Sequence, residues 1–247
     1  MKLSEFFEQN RKCALGYSGG VDSTFLLYSA IKADVDIKPY FVKSAFTTEN
    51  EYKAAIDFAS KLGCKVSVIN FDVLALRDVI INNENRCYYC KKAIFSAISE
   101  YAAKDGYNVI IEGTNASDDI SDRPGFKAIC ELGVVSPLKL CGITKDEIRS
   151  ELKKAGFDIW NKPATACLAT RIPTNTEISL DDLIRVYKCE KILYNIGFSD
   201  FRVRIFNGAA RIQLKSDDFS LALYKRKEIF DGFKPYFNDV FLDFKER

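Results

Sequence analysis

The sequence predicts an α/β protein: a parallel sheet with helices on both faces, followed by a smaller C-terminal α+β domain. Three observations predict it. Strand-like and helix-like segments alternate through the first two thirds of the chain, and strands spaced by helices of about ten to fifteen residues form βαβ units with parallel strands. Two adjacent glycines, Gly19 and Gly20, separate the first apolar run from the first helical run. After Pro163 the alternation is lost, and the remainder reads as helix, strand, strand, helix.

Each element has its own signal. KCALGY reads as a buried strand and DSTFLLYSAIKA as the helix that follows it. IKPYFVKSAF is a strand; ENEYKAAIDFASKLG is a helix ending at Gly63, where a residue without Cβ accepts the left-handed conformation that closes a helix. CKVSVINFD is the next strand, CKKAIFSAISEYAAKDG a helix ending at Gly106, and YNVIIEGT a further strand. A short segment, SDRPGFKAICELGVVSPL, leads to TKDEIRSELKKAG, a helix that Thr144 and Glu147 open as a capping box. TACLATRIPTNTEIS has no clear period and reads as a functional loop or linker. SLDDLIRVYKCEKILYNIG is then a helix, and FRVRIF and AARIQL are strands. The division this gives is a first domain over residues 1–170 and a second over 171–247.

Composition narrows the chemistry. The 247 residues carry a net charge of +2, which gives no general pull toward nucleic acid or membrane. MKLSEFFEQNRK has no apolar core of signal-peptide type, and the apolar runs fall short of the roughly 20 residues that span a bilayer, so a cytoplasmic protein is expected. Eight cysteines then read as reduced thiols. There is no histidine, which removes Ser-His-Asp and Cys-His catalysis, histidine general bases and histidine metal ligands.

The glycine pair sits in SGGVDS, between strand and helix. That arrangement holds phosphate: bare backbone N–H groups turn toward the ligand, the helix N-terminus adds about half a positive charge, and Ser18 and Ser23 offer hydroxyls. No Lys-Ser/Thr pair follows, so this is not a Walker loop. The stretch resembles the signature of the PP-loop ATP pyrophosphatases, of adenine nucleotide α-hydrolase-like fold, which split ATP into AMP and pyrophosphate with Mg2+. The resemblance implies that Ser18, Gly19, Gly20, Val21, Asp22 and Ser23 bind ATP, with Asp22 near the metal. It implies that Lys43 and Ser44, at the end of the second strand, lie near adenine, and that Gly113 and Thr114 with Asn115 approach the α-phosphate. Asp118 is a further candidate for Mg2+.

Two cysteine stretches bear on the nucleophile. ENRCYYCKKAIF carries Cys87 and Cys90 at C-x-x-C spacing at the opening of a helix, followed by Lys91 and Lys92, a setting that favours thiolate. NKPATACLATRIP carries Cys167. On chemistry alone a 4Fe-4S cluster, zinc and unmetallated cysteines stand equal: zinc wants four protein ligands, whereas three thiolates leave one iron of a cluster open. Cys13, Cys64, Cys130 and Cys189 read as core, and Cys141 lies near a turn.

SGGVDSTFLL, RCYYCKKAIF, EGTNASDDISDRPGFKAICELGVVSPL, TKDEIRSELKKAGFDIWNKPATACLATRIP and RVRIFNGAARIQL occur in the order found in the LarE family of ATP-dependent sulfur transferases, and the chain resembles that family over residues 13–214. The resemblance implies adenylylation of a carboxylate of pyridinium-3,5-biscarboxylic acid mononucleotide and replacement of AMP by sulfur, a step in nickel-pincer nucleotide synthesis. Family members draw the sulfur either from one sacrificed cysteine, which aligns with Cys167, or from a hydrosulfide on a 4Fe-4S cluster held by three cysteines. Having Cys87 and Cys90 as well as Cys167, this chain resembles the cluster type, with sulfide or another sulfur donor as co-substrate. The resemblance also implies a homo-oligomer, while the small net charge and short apolar runs lead to no expectation of a nucleic-acid or membrane partner. The motif alone also admits a tRNA thiolase or an amide-forming synthetase; the first calls for an RNA-binding basic surface or zinc-type cysteine clusters, and the second has no need of the three cysteines together.

In FRVRIF, strand alternation puts Arg202 and Arg204 on one face, with Arg211 on the next strand. Such guanidinium groups can grip phosphate or carboxylate in pairs, or simply face solvent. The resemblance places them at the substrate phosphate, and Arg171, four residues after Cys167, is a candidate for the same anion. Gln213 stands where the family carries Glu, which removes one carboxylate from that region.

Overall fold

The computed structural model describes residues 1–119, 124–163 and 165–245. Residues 120–123 of the EGTNASDDISDRPGF stretch, residue 164 of NKPATACLATRIP and the last two residues of the second predicted domain lie outside the described residues. The chain divides into two units, Met1–Val73 with Asn85–Thr165, and Leu74–Glu84 with Ala166–Arg247.

The first unit is the predicted α/β layer. Its strands are β1 (Lys12–Gly16), β2 (Asp36–Lys43), β3 (Ser67–Asn70) and β4 (Val109–Ile111), all parallel, in the order β3-β2-β1-β4. Its helices are α1 (Leu3–Gln9), α2 (Val21–Lys32) and α3 (Glu49–Lys61). The alternating pleat explains why β1 is apolar without a break. Cys13 and Leu15 pack with Leu26, Leu27 and Ala59 on one face, while Ala14 packs with Tyr40, Ile69 and residues of the later helices on the other. A fully buried Leu or Phe in such a core contributes about 1.5–3 kcal/mol. Pro39 is tolerated in β2 because β3 pairs only from Tyr40 onward, so no ladder bond is asked of it there.

A short helix, α4 (Arg77–Ile80), belongs to the second unit. The first unit resumes with α5 (Arg86–Lys104), α6 (Pro124–Glu131), α7 (Pro137–Leu140) and α8 (Lys145–Lys154). α5 and α6 supply Phe95, Ile98, Ala102 and Ile129 to the second face of the sheet. The Thr144–Glu147 capping box forms as expected at the start of α8.

The second unit continues with α9 (Leu180–Ile196), β5 (Phe201–Phe206), β6 (Ala209–Leu214), α10 (Phe219–Tyr224), α11 (Arg226–Phe233) and β7 (Val240–Leu242). β5 and β6 form the antiparallel hairpin, and β7 adds a parallel third strand beside β6. Leu74–Glu84 is tied in through backbone bonds from Asn175 N to Asn82 O and from Ile178 N to Ile80 O, and through Asn82 Nδ2 donating to Pro173 O at 2.8 Å. Among the described residues no helix is long and apolar enough to cross a membrane.

Candidate active site

The chain leaves β1, runs outward to β2 and β3, and returns to the far side of β1 for β4. In open parallel sheets the crevice outside the strand ends at such a reversal is where ligands bind. The loop after β1 and the loop after β4 meet there, and the glycines explain how. A Cβ on Gly113 would stand 2.8 Å from the backbone N of Ser23, so the β4 end reaches the first turn of α2 only because Gly113 has no side chain. Gly19 has φ +68°, and a Cβ there would lie 2.5 Å from Ala55 Cβ on α3. Its requirement is therefore for packing and backbone conformation as well as for an open loop.

Gly20 is the N-cap of α2 and provides no side-chain oxygen to the first-turn N–H groups. Ser18 and Ser23 close the loop on itself, their Oγ atoms 3.1 Å apart, with Ser18 Oγ accepting from Gly20 N at 3.3 Å. Ser18, Gly20, Val21 and Asp22 line one side of a cleft of about 200 Å³. Three cations that the motif does not announce also line it: Lys145 and Arg149 on α8, and Lys162. Lys145 Nζ lies 2.9 Å from Asp22 Oδ2, while Asp22 Oδ1 is buried without a hydrogen-bond partner. Arg149 donates to Trp160 O and, at 2.8 Å, to Lys162 O. Lys162 Nζ donates to Gly19 O at 3.1 Å; burial pulls its pKa below the usual lysine range, and Glu51 opposes that shift. With Glu51 and Asp22 also lining it, the cleft holds one net positive charge at a helix N-terminus, which suits a polyanion.

The other residues of this unit fall as follows. Lys43 at the end of β2 pairs with Glu49 at 3.0 Å and lies over the ring of Tyr52, and Ser44 Oγ accepts from Phe46 N at 3.3 Å. Glu112, 5% exposed, organises the β4 loop: it accepts from Thr114 N and Thr114 Oγ1, each at 2.9 Å, and from Ser136 Oγ. Asn115 is fully buried, with its backbone N donating to Asp118 at 3.0 Å. Cys87 and Cys90 stand on the first turn and a half of α5, three positions apart and so on one face. The cation that reaches Cys87 is Arg86, with Nη2 3.4 Å from Sγ. Lys92 instead donates to Tyr88 Oη at 3.1 Å and pairs with Glu131, and Lys91 leans over Phe95.

The second unit holds Cys167 and the arginines. Cys167 is exposed and precedes a single 3-10 turn, Leu168–Arg171. Its carbonyl accepts from Thr170 N at 3.0 Å and Thr170 Oγ1 at 2.8 Å. Arg171 is 5% exposed, and its guanidinium is committed inward: Nε and Nη2 donate to Glu190 at 2.8 and 3.3 Å, and Nη1 donates to Ala166 O at 2.8 Å. Glu190, on α9, also accepts from Val203 N at 3.0 Å and so joins the turn to β5. Arg204 donates to Thr170 O and to Gln213 Oε1, the latter at 2.6 Å, and Gln213 Nε2 donates to Asp243 at 2.9 Å. Arg202 Nε is buried without a partner; Arg211 Nε stands 3.5 Å from Asp243 Oδ2 but makes no hydrogen bond with it. Burial and the nearby guanidinium groups lower the pKa of both Arg202 and Arg204. Like charges held this close favour an anion nearby, and Glu190 and Asp243 supply part of that charge from within the protein.

Within either unit, among the described residues, no three cysteine or carboxylate side chains gather at metal-binding spacing. Cys87 and Cys90 belong to the first unit and Cys167 to the second. Burial raises the pKa of Cys13 to about 11 and of Cys189 to about 12, and raises those of Cys64 and Cys141. Cys130, expected in the core, is exposed on α6. Because burial opposes the thiolate, Cys13 and Cys189 stay protonated at pH 8.5, so iodoacetamide on the native protein should label Cys87 and Cys130 and spare those two. Peptide mass spectrometry reads this directly, and modification of Cys13 as fast as Cys87 would contradict it.

No family model matches the chain. It is 34% identical over 235 residues to an uncharacterized protein of Methanocaldococcus jannaschii, covering 95% of this chain and 89% of that protein. It is 34% identical over 215 residues to an uncharacterized protein of Synechocystis, covering 86% and 80%. It is 31% identical over 208 residues to the pyridinium-3,5-bisthiocarboxylic acid mononucleotide synthase of Lactiplantibacillus plantarum, covering 83% and 75%.

Proposed function

The chain belongs to the LarE family, and on that premise we propose that it is an ATP-dependent sulfur transferase of nickel-pincer nucleotide synthesis. The substrate in this reading is pyridinium-3,5-biscarboxylic acid mononucleotide. A ring carboxylate attacks the α-phosphorus of ATP and releases pyrophosphate; sulfide then attacks the acyl carbon and AMP leaves, giving the thiocarboxylate. The observation that carries the proposal is the basic cleft beside the Ser18–Gly20 loop, because splitting ATP between the α- and β-phosphates requires a separate hold on pyrophosphate.

The side-chain inventory is consistent with that chemistry. A carboxylate and a sulfide both attack without losing a proton, so the lack of histidine costs nothing. The loop hydroxyls and the open N–H groups of α2 take the pyrophosphate end, Gly113 and Thr114 lie toward the α-phosphate, and Lys43 and Ser44 border the adenine side. The buried, unpartnered Asp22 Oδ1 suits Mg2+, which would offset phosphate charge. Arg202, Arg204 and Arg211 provide the field for the substrate phosphate, while Arg171 in this reading positions the Cys167 turn rather than meeting the anion itself.

For the sulfur source the proposal keeps the three-thiolate form. Two thiols on one helical face beside Arg86, and a third exposed on a braced turn, are a donor set suited to a 4Fe-4S cluster. Such a cluster, when bound, supplies a sulfide nucleophile. Anaerobic protein given ATP, Mg2+, sulfide and the dicarboxylated pyridinium nucleotide should release AMP and yield a product heavier by the exchange of one oxygen for sulfur. Absence of both products sinks the proposal.

A further inference from the structure

Asp22 carries two demands. Its Oδ2 accepts from Lys145 Nζ at 2.9 Å, with the two side chains only 23% and 33% exposed, while its Oδ1 is buried and unpartnered on a residue that lines the cleft. The neighbouring cations are differently placed. Arg149 is spent on the carbonyls of Trp160 and Lys162, and Lys162 is spent on the carbonyl of Gly19. Of the three, Lys145 is the one whose head group is held by another side chain. It is also the first residue of α8, where the helix dipole repels a cation and favours any anion within reach. A lysine head group is a compact charge on a flexible stem with three donors, so it can change partners without moving the backbone.

We propose that Lys145 is an exchangeable counter-ion of Asp22: it neutralises the carboxylate until a divalent cation takes those oxygens, and then turns to the β- and γ-phosphates that arrive with the metal. This rests on reading the cleft as the nucleotide site and adds how that site is loaded. Metal and ammonium compete for one carboxylate, and metal and polyphosphate then bind with positive coupling, because each releases a charge that the other needs. The same exchange keeps Asp22 from repelling phosphate when no metal is at hand.

The test uses the full chain, Mn2+ followed by electron paramagnetic resonance, and inorganic pyrophosphate followed by calorimetry. Lys145→Met should bind Mn2+ alone up to about fivefold more tightly than the parent, since a partly exposed ion pair no longer competes. The same variant should bind pyrophosphate in the presence of Mn2+ about tenfold or more weakly, the loss of a charge-assisted hydrogen bond. Lys145→Gln should give the same pair of opposite shifts, and Asp22→Asn should lose the Mn2+ response while its circular dichroism spectrum matches the parent's. Unchanged or weaker Mn2+ binding in both Lys145 variants overturns the exchange, even if the parent protein binds pyrophosphate normally. A parent protein that binds neither pyrophosphate nor ATP overturns the reading of the cleft, and the exchange with it.

Discussion

Replacing Cys167 by Ala is expected to abolish thiocarboxylate formation while pyrophosphate release continues. The substitution removes one sulfur from an exposed side chain and leaves the carbonyl bonds that brace the turn, from Thr170 N and Thr170 Oγ1, in place. The fold should therefore be unaffected. Whether Cys167 is a cluster ligand or gives up its own sulfur, the second half-reaction needs its thiolate, so the rate of product formation should fall on the order of 10³-fold or more. In the proposed reaction, adenylylation draws on the basic cleft of the first unit and needs no thiol. Two measurements separate the halves: coupled detection of pyrophosphate, and mass spectrometry of the pyridinium product. Cys87→Ala divides the routes, since it should match Cys167→Ala if sulfide comes from a cluster and leave a single turnover if Cys167 is consumed. A Cys167→Ala protein that makes product at the parent rate would end the case for either.

The α/β layer was legible because burial on both faces of a parallel sheet leaves strands with unbroken apolar runs, as in β1, and because the glycine and capping signals mark real helix ends, as at Gly63 and Thr144. β7 was not legible. Three residues, Val240–Leu242, carry no period, and they become a strand only because β6 offers an open edge. Nor could the sequence show that Leu74–Glu84 joins the second unit, since that depends on Asn82 meeting Pro173 and Asn175, about 90 positions away along the chain.

The loop half of the cleft was written in SGGVDS, but its basic half was not, because Lys145, Arg149 and Lys162 reach it from more than a hundred residues downstream. A cation placed directly after a capping box, against the helix dipole, was the available hint for Lys145. Glu190 leaves a clearer trace. Leu183, Val186 and Leu193 are buried at spacings of three and seven, and Glu190 lies on that same face of α9. A carboxylate in an apolar stripe needs a buried partner, and Arg171 is that partner.

That pairing makes Glu190→Ala the most damaging single change outside the cysteines. Arg171 is 5% exposed and the Glu190 side chain 12%, so the substitution leaves a guanidinium buried without its counter-charge and Val203 N without its acceptor. Breaking a buried pair from one side costs about 3–5 kcal/mol, which is a large part of a domain's stability. Urea unfolding followed by far-ultraviolet circular dichroism should show the loss, and hydrogen exchange should speed up in peptides covering residues 166–171 and 201–206, the two segments that Glu190 ties together. The double substitution Arg171→Met with Glu190→Leu should recover much of the stability, because no charge is left stranded. It should not recover sulfur transfer, since Ala166 O would still lack the Arg171 donor, and Cys167 O would keep only its bonds from Thr170. A Glu190→Ala protein within about 1 kcal/mol of the parent would mean that Arg171 finds water or another acceptor, and would remove the argument that this ion pair holds Cys167 in place.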